Sequence, residues 1–341
     1  MDAPPRVTRR TAAGAAMAVA LTSGCSTDGE AAPTPSSISP SPEATPALAT
    51  TQPPPTEAPA PETPAASETA EARSVRPEDF DVRTALRVVD RLAGRIGPRH
   101  ATSAAYDEAA RWVTGELTAL GYVVRRQRVR VPGGDSWGVL VDAGTSTNVI
   151  ARLPGTDLSR PHLVVGAHLD TVPQAPGAED NASGVGVLLA AAAVAARART
   201  RLPVVLVAFG AEEPRGPTDA DHHYGSRQYV AALSGAQRRA VRGMVSLDRV
   251  GVGAAVPVGT AVEGDDPAHR EVLAAAGRAD VRVLTDDNRS SDHWQFVQAG
   301  LPGVRLGSTP YAAYHSPSDT PDVIQPDQLA RTGRIVLAWL A

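Results

Sequence analysis

The stretch LPVVLVAFGAEEPRG, Leu202–Gly216, decides the fold. Val204–Phe209 is an unbroken apolar run, the pattern of a strand covered on both faces of a sheet. Within three residues it is followed by two adjacent carboxylates, Glu212 and Glu213. Two like charges at the end of a core strand need a physical reason.

Similar runs occur along the chain. NVIARL (148–153), HLVVGAH (162–168), GMVSLD (243–248) and GVRLG (303–307) read as buried strands, and YVVRRQRVRV (122–131) alternates like a half-exposed one. Helical spacing marks 81–96, 103–121 (closing on Gly121), 183–199, 225–233, 267–278 and 327–340. Strands alternating with helices predict a single α/β domain with a mainly parallel, doubly covered central sheet. Ligands of such sheets bind beyond the carboxyl ends of the strands.

The first 77 residues are different. Arg6, Arg9 and Arg10 precede an apolar stretch that ends at Gly24-Cys25 and is too short to span a bilayer, as in an export signal. Cys25 is the only cysteine in the 341 residues, which rules out an intrachain disulfide. Its position resembles a bacterial lipobox, with Thr22 as a departure, so residues 1–25 are expected to direct export. The product is then a surface lipoprotein anchored at Cys25, or a secreted protein if the lipobox is not used. Arg9-Arg10 matches a twin-arginine signal poorly. Residues 26–77 are expected to be a disordered linker, because Ser26–Ala72 carries eleven prolines, seven acidic residues and no basic one. The folded domain is expected over 78–341. It is nearly neutral, which argues against nucleic acid as a partner and leaves a lipid anchor as the sole route to a membrane. All 33 basic residues are Arg, read here as coding bias.

Charged residues cluster where strands end. His168-Leu169-Asp170 closes one strand, and the i, i+2 relation suggests that the Asp170 carboxylate bonds the far nitrogen of His168 and fixes its tautomer. Asp180 precedes a glycine-punctuated helix, Asp248 ends GMVSLD, and His315 lies on a loop before the last helix. Singly, each has an ordinary explanation as a cap, turn former or solvated loop residue. Together, two histidines and three carboxylates converging on one crevice call for a cation, and the donor types suit zinc.

Seven motifs in order, GAHLDTV, GAEDNASGVG, FGAEEPRG, HHYGSRQYV, VSLDRVG, SSDHWQF and YHSPSDT, resemble those of the zinc-dependent M28 peptidases of the two-zinc aminopeptidase type. The resemblance covers about 86–341. It implies two zinc ions, one held by His168, Asp180 and Asp248 and the other by Asp180, Glu213 and His315. It also explains the paired glutamates: Glu213 ligates, while unbound Glu212 is the general base on a metal-bridging water. Tyr314 is implied as hydroxyl donor to the oxyanion, and Asp292 and His293 as support for the site wall. The expected reaction is hydrolysis of the N-terminal peptide bond of peptides. Alternatives are a glutaminyl cyclase-like single-zinc transferase (disfavoured by Tyr rather than Trp before His315), an M28-type carboxypeptidase using Arg249 or Arg305, and a non-catalytic binding protein. The insertion PRGPTDADHH departs from the family pattern, and its His222 and His223 are expected on the surface. Oligomeric state and the preferred N-terminal side chain are not set by these motifs.

Overall fold

The computed structural model describes residues 73–341, so the expected export signal and Cys25, and nearly all of the expected linker, lie outside the described residues. The strands are β1 (Val123–Val131), β2 (Gly134–Ser136), β3 (Val139–Val141), β4 (Gly144–Arg152) and β5 (His162–His168). They continue with β6 (Val204–Phe209), β7 (Val241–Leu247), β8 (Val256–Thr260), β9 (Val283–Asp287) and β10 (Val304–Leu306). The helices are α1 (Val82–Val89), α2 (Ala104–Ala119), α3 (Ser183–Ala195), α4 (Tyr224–Ala231), α5 (Gly235–Ala240), α6 (Pro267–Arg278), α7 (His293–Gln298) and α8 (Pro326–Leu340).

Among the described residues eight strands form one sheet in the order β1-β4-β6-β5-β7-β10-β8-β9, and β2 and β3 make a separate hairpin. The four central strands β6, β5, β7 and β10 are parallel. The sheet as a whole is mixed: β1 and β4 run antiparallel to their inner neighbours, and so does β8 to β10. The expected parallel arrangement therefore holds at the centre, where the apolar runs are longest.

Alternate residues of the central strands go to opposite faces. Leu163, Val165, Leu206 and Ala208 join a core with α1, α2, α3, α6 and α8. Val164, Val205, Val207 and Phe209 join a second core with Tyr229 and Val230 of α4 and Phe296 of α7. A helix apolar all round must be enclosed, and α3 is: nearly all of SGVGVLLAAAAVA is buried. Two glycines allow its close approach. A Cβ on Gly186 would meet the Ala85 carbonyl of α1 at 2.8 Å, and one on Gly184 the Leu247 carbonyl at 2.4 Å.

The domain begins before the expected boundary at residue 78. Ser74 bridges Arg199, Val75 is buried in the main core, and Arg73 forms an ion pair with Asp79. Among the described residues no helix is long and apolar enough to cross a membrane.

The chain order across the centre fixes where a ligand can sit. From β5 the chain steps to β6 on one side, then returns to β7 on the other, so the crevice opens at the carboxyl ends of β5 and β7. In the register, His168 is level with Phe209 and Gly166 with Ser246. The ends of three parallel strands thus deliver His168, the Glu212-Glu213 pair and Asp248 to one place.

Candidate metal centre

Asp180 stands at the middle of the cluster. Its Oδ1 lies 3.1 Å from Nε2 of His168 and its Oδ2 3.1 Å from Nε2 of His315. Asp180 does not cap α3: it sits in the kinked turn Ala178–Ala182 with non-helical backbone (φ −112°, ψ 84°), and the Asn181 carboxamide accepts from the Gly184 N–H instead. Asp319, in the SPSDT segment, holds that turn by accepting the N–H groups of Glu179 and Asp180 at 2.9 and 3.1 Å.

The other expected ligands surround it. Asp248 Oδ1 lies 3.6 Å from His168 Nε2, and Glu213 Oε2 lies 3.5 Å from His315 Nε2. His168, Asp180 and Glu213 each offer an atom within 4.8 Å of the others, as do His168, Glu212 and Asp248. Glu212 thus approaches the metal-holding set, which the sequence reading had not anticipated. All five expected ligands and Glu212 lie at one site.

The donor set fits a cation. His168 Nε2, Glu213 Oε1 and Asp248 Oδ1 are buried without a hydrogen-bond partner among the described residues. Orphaned buried donors and acceptors are costly, and a metal would satisfy all three. Burial, with Asp180 and Glu212 close by, pushes the Glu213 carboxyl well above its usual range. Asp248 behaves oppositely: although burial raises it, Arg305 and His168 hold it below the carboxylate range, and Arg305 Nη2 lies 3.0 Å from its Oδ2.

Asp170 has a different task from the one expected. The Nδ1–H of His168 donates to the backbone carbonyl of Asp170 at 3.1 Å, while the Asp170 carboxylate stands 3.8 Å away. The strand ends at His168, so the i, i+2 alternation does not extend to Asp170. Its carboxylate instead accepts the N–H of Glu212 at 3.0 Å and that of Glu213 at 3.1 Å. The tautomer is still fixed, by a carbonyl, leaving Nε2 free for a metal.

The centre opens into a cleft of about 410 Å³ lined by Trp137, Glu212, Glu213, His222, His223, Arg249 and Tyr314 among others. Tyr314 stacks on His315 with ring centroids 3.7 Å apart, and the Arg249 guanidinium lies over the Tyr314 ring at 4.5 Å. Trp137, on the β2–β3 turn, meets His315 edge-on at 4.4 Å; no motif pointed to it. His223 corrects an expectation, because it is buried, with Nε2 3.2 Å from Glu212 Oε1. Asp292 and His293 are fully buried behind the wall; burial, then the charge of Glu212, pushes the Asp292 carboxyl up to about 7. Among the described residues seven non-glycine residues have positive φ, and four of them (Trp137, His223, Arg249 and His315) line the cleft. Strain of this kind costs about 1–3 kcal/mol per residue and gathers at functional sites.

A doubly covered α/β sheet with His and carboxylate donors converging at its switch point is an architecture suited to holding metal. The chain belongs to peptidase family M28, which it matches over residues 148–340. It is 30% identical over 206 residues to the aminopeptidase YwaD of Bacillus subtilis, covering 57% of this chain and 44% of that protein. The chain spans about half the length of the first curated relatives it matches. The zinc aminopeptidase BSAP of Bacillus subtilis shares the fold, with a TM-score of 0.68 at 20% identity over 76% of this chain and 94% of that one. So does a glutaminyl cyclase of Bacteroides thetaiotaomicron, with a TM-score of 0.64 at 22% identity over 76% and 97%.

Proposed function

We propose that this chain is a two-zinc aminopeptidase that hydrolyses the N-terminal peptide bond of peptides. The observation that carries the reading is Asp180, with each carboxylate oxygen directed at a different histidine, 3.1 Å from each. His168, Asp180 and Asp248 would hold one ion and Asp180, Glu213 and His315 the other. Bound zinc lowers the pKa of water and polarises a carbonyl.

The remaining chemistry belongs to side chains. Glu212 accepts the proton of the attacking water and returns it to the departing amine. Asp170, through two backbone N–H groups, fixes the position of both glutamates. The Tyr314 hydroxyl is assigned as donor to the developing oxyanion, since Tyr314 lines the cleft with its ring stacked on His315 and covered by the Arg249 guanidinium. Its phenol is held above the usual value, chiefly by burial and then by Asp180 and Glu213, and so stays a donor at neutral pH.

Direction along the peptide follows from charge. A carboxypeptidase would need a free guanidinium for the terminal carboxylate. Arg305 is buried against Asp248 and also donates to Asn288 and Ser290, while Arg249 donates to Ser308. Both are engaged, and the third arginine of the cleft, Arg289, lies 3.3 Å from Glu263 and over the Trp294 ring, whereas the Glu212 carboxylate also lines the cleft and suits a substrate ammonium. A cyclase shares this fold, but no observation here favours that reading over hydrolysis. We also propose that the chain is exported and lipid-anchored at Cys25, with one acyl chain giving marginal attachment and diacylation stable attachment; Cys25→Ser protein still in the membrane fraction counts against the anchor. For the reaction itself, N-acetylation of a cleaved peptide should abolish its hydrolysis and C-terminal amidation should change little; the reverse pattern contradicts the reading.

A further inference from the structure

The segment Pro214–His223 departs from the family pattern, and its last residue returns to the paired glutamates. The backbone N–H of His223 donates to the Glu212 carbonyl at 3.0 Å and that of Tyr224 to the Ala211 carbonyl at 2.8 Å. Within the loop, Arg215 N–H donates to the Asp221 carbonyl, and the Asp221 carboxylate accepts from the Thr218 N–H and hydroxyl. The loop is therefore closed on itself and pinned to its own origin. At the pin His223 takes a left-handed conformation, φ +57°, ψ 36°, just before α4. This backbone is unfavourable for a side chain with a Cβ, yet the residue is only 4% exposed. Its Nε2 lies 3.2 Å from Glu212 Oε1.

Glu212 needs such a restraint. One of its carboxylate oxygens falls within 4.8 Å of ligand atoms of both His168 and Asp248, close enough to join the metal-holding set. A carboxylate bound to a cation is a poor proton acceptor, so the division of labour between Glu212 and Glu213 depends on keeping Glu212 out. An N–H placed on Oε1 occupies a lone pair and ties the carboxylate to the loop side of the cleft. We infer that His223 is a positioning residue whose Nε2–H holds Glu212 as an unligated base. The inference rests on the aminopeptidase reading above and adds to it a role for the inserted loop.

Two variants separate the hydrogen bond from packing. His223→Phe keeps a ring and removes the donor; His223→Gln keeps an N–H at a similar reach. Each is measured for steady-state kinetics on a free-amine peptide and for zinc affinity by competition with a chromophoric chelator, with circular dichroism as the folding control. His223→Phe should lose about 10–100-fold in kcat with little change in KM, the usual scale for a residue that orients a reactive one. Its zinc affinity should rise severalfold as Glu212 joins the ligands. His223→Gln should stay within about threefold in both readouts. A fall in kcat with zinc affinity unchanged or weakened overturns the inference, as does a His223→Gln variant as impaired as His223→Phe. If His223→Phe does not fold, His223→Ala carries the same comparison. The affinity measurement needs no turnover, so a wild-type protein that cleaves no free-amine peptide would end the aminopeptidase reading while this arm still reads the restraint.

Discussion

The Asp170 carboxylate accepts the backbone N–H of Glu212 at 3.0 Å, with its second oxygen on the N–H of Glu213 at 3.1 Å. A residue just past the end of β5 thereby sets the position of the glutamate pair that follows β6. Asp170→Asn keeps one acceptor and turns an NH₂ toward the other N–H. Leaving a buried N–H unpaired costs about 1–3 kcal/mol. Asp170→Asn should therefore lose stability by about that amount and lower kcat by about 10–100-fold while KM moves little. Chemical denaturation together with steady-state kinetics checks both, and unchanged kcat would show that the pair needs no such support.

The two glutamates should separate under the same conservative change. Glu212→Gln is expected to retain metal and lose about 10²–10⁴-fold in kcat, the scale of a missing general base. Glu213→Gln is expected to lose metal as well, because its carboxylate faces Asp180 and His315. Metal content after gel filtration, read beside activity, distinguishes them; equal metal loss contradicts the assignment.

Much of this was legible in the sequence, and the misses have local causes. The apolar runs at Val204–Phe209 and His162–His168 mark central strands because nothing else tolerates burial on both faces. The pattern PAHREVLAAAGR coincides with α6, where Asp266 caps the first turn. Strands β8 and β9 escaped notice because VPVGT contains Pro and Gly and VLTDD is largely exposed. The antiparallel flanks are invisible in composition, since a buried strand reads the same in either direction. His223 looked like loop surface within DADHH; its N–H and that of Tyr224 tie the end of the loop back to Glu212 and Ala211, and its φ is left-handed. The proposed metal ligands stood out because each lies at or close to the end of a recognisable element, while the position of Asp170 depended on where a strand stops.

Acid stability should carry the mark of His293. Burial pushes its imidazole down to about 3, with Nε2–H donating to the Asn288 carbonyl at 2.7 Å and Nδ1 unpartnered among the described residues. The folded pKa lies below the unfolded value of about 6.5, so the unfolded chain binds the extra proton between these limits. Stability is full above about pH 6.5 and falls with pH toward 3, by about 1.4 kcal/mol per pH unit from this residue. Denaturation midpoints from pH 7 to pH 4 should fall less steeply in His293→Gln than in wild type; parallel profiles contradict the assignment.

Asp180 is proposed to join two metal sites, and metal stoichiometry decides between one site and two. Protein freed of metal, titrated with zinc and assayed at each addition, should reach full activity at two zinc ions per chain. Asp180→Ala should bind neither ion tightly. Full activity at one zinc per chain, or an Asp180→Ala variant that keeps one site intact, would contradict the account.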